Sequence, residues 1–530
     1  MKFGGITFHH PLAFWIGCAA VIAGVLAHVP MLVMAAPMHY HLAGMPMDNA
    51  MLVGMGLIPL GVLVAGYGLL PRIEQIRLTL RGGDRVHFHV ADGLPLNREH
   101  WKLIIVLTIA LAVDVMKPAT LGFVIPGMAS EYDITKATAG YLALSALTGT
   151  TVGSIVWGRL ADVFGRRAAI LLSAILFMGT SICGAMPAFA WNLVMCFLMG
   201  AAAGGMLPIA FTLMAEMIPA AQRGWLLVTL GCVGTSAGYL LASGAATVFE
   251  PAFSWRALWL LNLPTGALIV FLNRYLPESP RFLAHAGLND EARAVLQHFS
   301  GASACPMPDA TDDVVVAHRP TSNLRELLRG RHARITWGLA LCGIAWGLVN
   351  FGFLLWLPAN LNLIGVDPEA TNLLLAKSAV IAMPGIAIVV WLYQRWSSIR
   401  SLVLLIALTV LALLAFFAID ALGLRSAPVT IAAAVALLFS VNGVIATLIP
   451  YSTEIYPVHL RATGAGLIAA SSKAGGILGA VLGVAGLFGH FMLAAIAIAL
   501  PMVVAGFMLA RSGIETRSYR LEDIQLALSK

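Results

Sequence analysis

The chain has little charge and few cysteines. Only 11% of its 530 residues are Asp, Glu, Lys or Arg, whereas soluble domains carry about 25%. The six cysteines form no CxxC pair and fall mostly inside apolar runs, which predicts packing rather than disulfides or metal ligation. The sequence contains no GxxxxGK[ST] nucleotide loop, so an ATP-driven pump is not indicated. We therefore predict no enzyme, no cofactor and no metal site.

Hydrophobic sequence is abundant instead. Apolar residues make up 59% of the chain, and runs long enough to cross a bilayer recur along nearly its whole length. Backbone groups in lipid must be hydrogen-bonded internally, so each run is predicted to be a helix. The sequence predicts an all-α polytopic membrane protein with fourteen spans, near residues 13–36, 51–70, 102–127, 138–158, 168–188, 191–213, 225–247, 257–274, 335–361, 372–393, 401–420, 428–450, 463–485 and 490–510.

The positions of the basic residues predict the orientation. With the N-terminus inside, 26 of the 32 Lys and Arg residues fall in inward loops and tails, and 4 fall in outward loops. The positive-inside rule then places both termini in the cytoplasm. The net charge of +7 is accordingly assigned to contact with anionic lipid headgroups rather than with nucleic acid.

The fourteen spans divide into groups of two, six and six. We predict an accessory N-terminal hairpin, a cytoplasmic linker, an N-terminal six-helix bundle, a central cytoplasmic loop, a C-terminal six-helix bundle and a cytoplasmic tail. Their boundaries are 1–71, 72–100, 101–279, 280–334, 335–511 and 512–530.

Four short motifs lie at the predicted inward ends of these helices. GRLADVFGRR (158–167) follows the second span of the first six, and LPESPRFL (276–283) follows the sixth. AEMIPAAQRG (215–224) and STEIYPVHLRATG (452–464) are internal copies, each with a Glu and an Arg seven residues later. The first string resembles motif A of the major facilitator superfamily. LPESPRFL resembles a motif of the sugar-porter and metabolite:proton symporter branches of this superfamily.

This resemblance covers about residues 100 to 515. It implies a monomer of two six-helix bundles that rock about a site near the bilayer midplane, with the first two helices as an addition. It also implies a cytoplasmic gate, formed by Gly158, Asp162, Gly165, Arg166, Arg167, Glu216, Arg223, Glu278, Arg281, Glu454 and Arg461. The alternative interpretation is that these charges only anchor helix ends to headgroups.

Two departures from the family pattern narrow the function. Cys196 stands where motif B of the superfamily begins with an arginine, so a proton-coupling role for that arginine does not transfer. The seventh core helix, WGLVNFGFLLWLP, lacks the paired glutamines with which sugar porters bind hexose. A sugar porter is therefore disfavoured.

Two charged residues are predicted inside the first core helix. Asp114 and Lys117 lie roughly 18 and 22 Å from Lys102 at 1.5 Å per residue, and their spacing puts them on one helix face. An ionisable residue at such depth indicates function, although a purely structural ion pair is the alternative. Aromatic-acid:proton symporters, which this helix resembles, carry a DxxD pattern here. This chain keeps Asp114 but has Lys117 in place of the second acid. That leaves Asp114 as the candidate proton acceptor and adds a cation that could attract an anionic substrate.

Lys473 is a second cation predicted at depth, about ten residues into the eleventh core helix. Two ammonium groups with one carboxylate would leave a net positive cavity that favours a carboxylate ligand; snorkelling to the interface is the alternative. Further candidate substrate contacts, or simple interhelical packing residues, are Asn350, Ser472, Tyr239 and Asn442.

The predicted hairpin is rich in methionine and histidine between His28 and Met55. Such ligands suit a soft metal such as Cu(I), but methionine is also a common packing residue, and we favour an accessory two-helix unit without a metal.

The sequence thus predicts a secondary active transporter in a bacterial inner membrane, a proton-coupled symporter of a small organic anion of the carboxylate or aromatic-acid type. Its partners would be that substrate, protons and the bilayer. Two alternatives stay open: drug or metabolite efflux by proton antiport, and a non-transporting receptor or metal sensor.

Overall fold

The structure, a computed structural model, describes residues 10–69, 96–285, 288–300, 328, 333–358, 368–422, 427–456, 458–486 and 491–516. Within these ranges every regular element is a helix, which confirms the all-α prediction. We number the helices α1 to α20 in chain order.

An N-terminal hairpin precedes two bundles. Its helices are α1 (Pro11–Leu26), α2 (Val29–Ala35) and α3 (Asn49–Leu69). The N-terminal bundle contains α4 (Arg98–Glu131), α5 (Lys136–Phe164), α6 (Arg166–Gly179), α7 (Phe189–Ala203), α8 (Met206–Met217), α9 (Ala220–Phe253), α10 (Arg256–Leu260) and α11 (Asn262–Phe271).

Two short helices, α12 (Pro280–His285) and α13 (Asn289–Ser300), lie between the bundles in the chain. The C-terminal bundle contains α14 (Ala333–Gly347), α15 (Pro368–Ala382), α16 (Gly385–Trp391), α17 (Ser398–Ala421), α18 (Ala427–Ile455), α19 (Val458–Val484) and α20 (Phe491–Ser512).

Twelve helical segments of the described chain are long and apolar enough to cross a membrane, so the prediction of fourteen spans was too high. The predicted spans 138–158 and 191–213 are helical but are not among the twelve. The described stretch of α5 is rich in glycine, serine and threonine, which lowers its hydropathy. Gly204 and Gly205 interrupt the other span, so that α7 and α8 are each too short.

The two halves meet along five helices near the middle of the molecule. The N-terminal bundle contributes α5 and α9; α5 packs against α19, and α9 packs against α15 and α18. Gly122 of α4 lies so close to the Leu355 carbonyl, beyond the end of α14, that a Cβ atom would meet that oxygen at 2.7 Å. The space between the halves is therefore narrow, and any cavity there is lined by both.

The hairpin is attached to the N-terminal bundle at two places. Helices α1 and α3 pack against α6, and the loop between α2 and α3 lies against the end of α4. There the backbone N–H groups of Leu42 and Ala43 donate to the Glu131 carboxylate at 2.7 and 3.3 Å. Leu42 is fully buried. The hairpin thus shares polar and apolar contacts with the bundle that it precedes.

Candidate functional site

A small cavity lies between the two halves. Helices α4, α9, α18 and the irregular continuation of α14 at Leu348–Leu354 line it. Its volume is about 40 Å³, room for a few waters at the roughly 10–15 Å³ of such space that one water needs. A substrate-sized molecule would therefore fit only after the halves move apart. The polar lining residues are Thr235, Tyr239, Asn350 and Asn442.

Three of the predicted substrate contacts line this cavity. Tyr239 comes from α9, Asn350 from the α14 continuation and Asn442 from α18. The Asn442 amide donates to the Ser236 hydroxyl at 3.3 Å, which bridges the two halves.

Tyr239 has a hydroxyl group that is buried and makes no hydrogen bond. Its ring packs against Phe123 at 6.0 Å between ring centroids, and both rings line the cavity with Phe351. Because buried polar groups normally find a partner, an unpaired hydroxyl at a cavity wall suits a polar ligand atom. Phe123 and Phe351 were not predicted as contacts, because an aromatic residue in an apolar helix has no sequence signal that separates cavity lining from packing.

Asp114 and Lys117 form the predicted pair on one face of α4. The Lys117 ammonium donates to Asp114 Oδ1 at 3.4 Å, and both side chains are buried. Neither residue is among those that line the central cavity. Lys117 instead places its ammonium 3.8 Å from the ring centroid of Phe177 on α6, inside the N-terminal bundle. The pair therefore lies behind the cavity wall in this conformation.

Lys473 lies on α19, where the halves touch. Its ammonium donates to the Gly204 carbonyl at 3.3 Å, at the break between α7 and α8. Its charge also interacts with that of Asp114. Ser472 donates to the Ala469 carbonyl of its own helix at 2.8 Å. Neither of these α19 residues lines the cavity described above.

Five of the predicted gate residues come together at the start of α6. Gly165 has a φ of 104° and ends α5, in a conformation that favours glycine. The Glu278 carboxylate accepts hydrogen bonds from the backbone N–H groups of Arg166 and Arg167 at 2.7 and 3.1 Å. Arg166 lies 3.6 Å from the Glu216 carboxylate. All of these contacts lie within the N-terminal half and its following loop.

Glu278 is a carboxylate that caps the start of α6, where the helix dipole favours negative charge. Burial raises the pKa of Glu278 to about 7, while its bonds from backbone N–H groups and the nearby Arg166 charge act in the opposite direction. The group is thus able to change its charge near neutral pH.

The side chains of the remaining predicted gate residues lie outside the part of the chain that the structure describes. These are Gly158, Asp162, Arg223, Arg281, Glu454 and Arg461. Their contribution to a gate stays a prediction.

A buried ion pair closes the other end of the N-terminal bundle. Arg256 is fully buried and places Nη2 2.6 Å from Glu131 Oε1. Its Nη1 atom donates to the carbonyls of Gly184 and Met186 at 2.9 and 3.0 Å, and Trp255 donates to Glu131 Oε2 at 2.9 Å. The sequence predicts Arg256 only as one of the four basic residues in outward loops, because its partner lies 125 residues away in the chain.

A second unpredicted contact joins the halves at the same side. The Asn372 amide on α15 donates to the Glu250 carboxylate on α9 at 2.5 Å. Sequence alone offers no means of pairing these two residues, since they belong to different bundles.

Two histidines of the hairpin, His28 and His41, lie in different environments. His28 is buried, and its Nδ1 atom lies 2.8 Å from the Gly24 carbonyl. His41 lies 3.9 Å from Glu131. Among the residues that the structure describes, no group of three or more His, Cys, Asp or Glu side chains could hold a metal ion.

Comparison with known proteins decides the family. Residues 105–480 match the sequence profile of the Major Facilitator Superfamily, which is well over half of the chain. The chain belongs to the major facilitator superfamily. It is a multi-pass membrane transporter and not an enzyme, as the motifs predicted.

Several named transporters are similar in sequence. The niacin transporter NiaP of Acinetobacter baylyi is 27% identical over 82% of this chain and 98% of its own. The 4-hydroxybenzoate transporter PcaK of the same organism is 27% identical over 74% of this chain and 86% of its own. A gallate transporter of Pseudomonas putida is 26% identical over 74% of this chain and 86% of its own.

Solved structures agree with the fold. A partially occluded inward-open conformation of the xylose transporter XylE from E. coli aligns with a TM-score of 0.63 at 14% identity, over 80% of this chain and all of XylE. At that identity the likeness concerns the superfamily fold alone.

Proposed function

We propose that this transporter carries a small aromatic carboxylate into the cell together with protons, across a bacterial inner membrane with both of its termini in the cytoplasm. The observation that carries the proposal is the buried Tyr239 hydroxyl without a partner, beside the rings of Phe123 and Phe351 on the cavity wall. An aromatic acid can stack on such rings and accept a hydrogen bond from the hydroxyl. Relatives that carry niacin, 4-hydroxybenzoate and gallate support this substrate class.

The charges of Asp114, Lys117 and Lys473 support proton coupling. Asp114 interacts with two cations, Lys117 and Lys473. With Asp114 ionised, this group of three carries a net charge of +1; with Asp114 protonated, it carries +2. The protonated state therefore attracts a carboxylate more strongly, and by linkage the bound carboxylate favours protonation. Proton and anion then bind together, as symport requires.

The two lysines have different parts in this scheme. Lys117 is fully buried over Phe177, so it sets the charge state of Asp114. Lys473 is held by a neutral carbonyl where the halves touch, so it can turn toward a substrate anion once they separate. Of the two, Lys473 is the proposed direct contact, together with Tyr239, Asn350 and Asn442.

The test uses purified protein in proteoliposomes with an inward-directed proton gradient. Radiolabelled benzoate, nicotinate and 4-hydroxybenzoate are the probes, and xylose is the neutral comparison. Wild-type protein should accumulate at least one aromatic acid against its gradient and should not accumulate xylose. Accumulation of xylose alone, or proton-driven export of the acids, would contradict the proposal.

Three variants separate the roles. Asp114→Asn should lose gradient-driven accumulation and keep substrate exchange, because asparagine keeps the shape but cannot titrate. Lys473→Gln and Tyr239→Phe should weaken binding about ten-fold, as expected for losing one hydrogen bond to a charged group. Lys377→Gln, which removes an exposed lysine on α15, is the control and should behave as wild type. Full accumulation by Asp114→Asn would refute the coupling role.

A further inference from the structure

The N-terminal hairpin contains a buried histidine at the break between α1 and α2. His28 is fully buried, and its Nδ1 atom lies 2.8 Å from the Gly24 carbonyl oxygen. Because a carbonyl oxygen can only accept, Nδ1 carries the proton of this hydrogen bond, and in the neutral imidazole Nε2 then has a free lone pair. Nε2 is also buried, and it has no hydrogen-bond partner. The hairpin therefore contains a nitrogen ligand that is not yet used.

The close packing of α1 against α3 fixes which residues face this imidazole. A Cβ atom on Gly61 would meet Val21 Cγ2 at 2.8 Å, and a Cβ atom on Gly54 would meet His28 Cε1 at 2.9 Å. From the first of these contacts to the second, the chain advances by about two helical turns on α1 and goes back by about two turns on α3. The two helices are therefore antiparallel in a fixed register, with the His28 ring against Gly54.

Three methionines lie next to this contact in the same register. Met31 follows His28 by about one helical turn, Met51 precedes Gly54 by about one turn, and Met55 is the next residue after Gly54. Met31 and Met51 are buried, and Met55 is half-buried against the core. The register thus brings three thioethers to within about one helical turn of the imidazole, inside the protein.

An imidazole nitrogen with thioethers is a ligand set for a soft cation such as Cu(I), whereas Mg²⁺ and Ca²⁺ take oxygen ligands. Histidines that bind metals almost always donate their other ring N–H to a carbonyl or carboxylate, as His28 does to Gly24. The Asp48 carboxylate, which accepts from the Met51 backbone N–H at 2.7 Å, is close enough to His28 for an electrostatic interaction and favours a cation there.

Packing alone would explain buried methionines, but it does not explain a buried Nε2 atom without a partner. A site with one histidine and several thioethers is also compatible with the absence, in the described chain, of groups of three or more His, Cys, Asp or Glu side chains.

We propose that His28 Nε2 and the thioethers of Met31, Met51 and Met55 bind one Cu(I) ion inside the hairpin. The ion would connect the break between α1 and α2 to the first turns of α3. The site precedes residues 105–480, which match the superfamily profile, and its test does not depend on transport.

The experiment measures Cu(I) binding by the purified full-length protein in detergent. The protein is titrated without oxygen against the coloured complex of Cu(I) with bicinchoninate, and ascorbate keeps the copper reduced. We expect the protein to withdraw one equivalent of Cu(I) from the chelator. X-ray absorption of the bound copper should then show sulfur neighbours together with nitrogen. Failure to withdraw copper, or bound copper with nitrogen and oxygen neighbours alone, would overturn the proposal.

Variants connect the bound copper to these residues. His28→Gln should abolish withdrawal of copper from the chelator. Met31→Leu and Met51→Leu should each weaken binding at least about ten-fold, since changes even in the outer shell of a metal site cost 10–100-fold in affinity. Leucine keeps the volume of methionine, so both variants should fold.

Met34→Leu is the matched control, because it is the same change on the same helix at a position that is 59% exposed. It should bind Cu(I) as wild type does. Wild-type affinity in His28→Gln, or in both Met31→Leu and Met51→Leu, would overturn the proposal and assign the buried methionines to packing.

Discussion

Replacing Glu131 by glutamine tests how far the end of the N-terminal bundle opposite Glu278 depends on one buried ion pair. Glutamine keeps the size of the side chain but removes the charge that faces Arg256. The guanidinium would stay buried, with carbonyls and the Tyr132 hydroxyl as its remaining acceptors. Removing one partner of a buried ion pair costs about 3–5 kcal/mol, because it leaves an uncompensated charge.

The loop of the hairpin adds to that cost. Leu42 and Ala43 donate backbone N–H groups to the same carboxylate, and the bond to a neutral amide is weaker than one to an ionised acceptor. We therefore expect the upper part of this range for Glu131→Gln. The double variant Glu131→Gln with Arg256→Met removes both charges and should recover part of the loss.

The assay is thermal unfolding of purified protein in detergent at one fixed scan rate, because membrane proteins of this size often unfold irreversibly. Asp290→Asn is the matched control, since Asp290 is fully exposed in its pair with Arg293 and exposed ion pairs add little to stability. An unfolding temperature of Glu131→Gln equal to that of the control would refute the reasoning. A double variant that loses more stability than the sum of the losses in Glu131→Gln and Arg256→Met would refute it too.

Three further predictions concern the gate region and the hairpin. Gly165→Ala should destabilise the protein by about 1–3 kcal/mol, because alanine resists a φ of 104° and its Cβ would collide with Glu278; an unfolding temperature equal to wild type would contradict this. The pKa of Glu278 is raised to about 7 in the folded protein, so the folded state favours the protonated carboxyl. The contribution of this group to stability should be full below about pH 4.5 and lost as pH rises through 7. Glu278→Gln should abolish this part of the pH dependence of unfolding, and an unchanged pH profile in the variant would contradict the prediction. Deleting residues 1–71 should leave a protein that still elutes as an assembled transporter in size-exclusion chromatography. Its unfolding temperature should be lower, because Glu131 loses two N–H donors. An unchanged unfolding temperature would mean that the hairpin does not stabilise the bundle.

The class of the protein was predictable because it depends on composition and on short local patterns. Apolar runs indicate spans wherever they fall, and motif A requires its glycine, acid and arginines within ten residues of each other. The span count was less predictable. Gly204 and Gly205 divide one predicted span into two short helices, and hydropathy averaged over the run does not register that break.

The site was only partly predictable. Tyr239, Asn350 and Asn442 do line the central cavity, and Asp114 and Lys117 do pair, because i, i+3 spacing on a helix brings side chains together whatever surrounds them. The direction of Lys117, however, depends on how α4 is rotated against α6. Its position over Phe177 follows from packing between helices and has no local signal.

The sequence by itself therefore determined the membrane class, the superfamily and the presence of ionisable residues at depth, since each of these depends on residues near one another in the chain. Only the tertiary structure decided which of those residues share a cavity and that Arg256 is buried against Glu131. Helix periodicity specifies which residues share a face. The rotation and approach of the helices specify what that face meets, and they depend on contacts between residues more than a hundred positions apart.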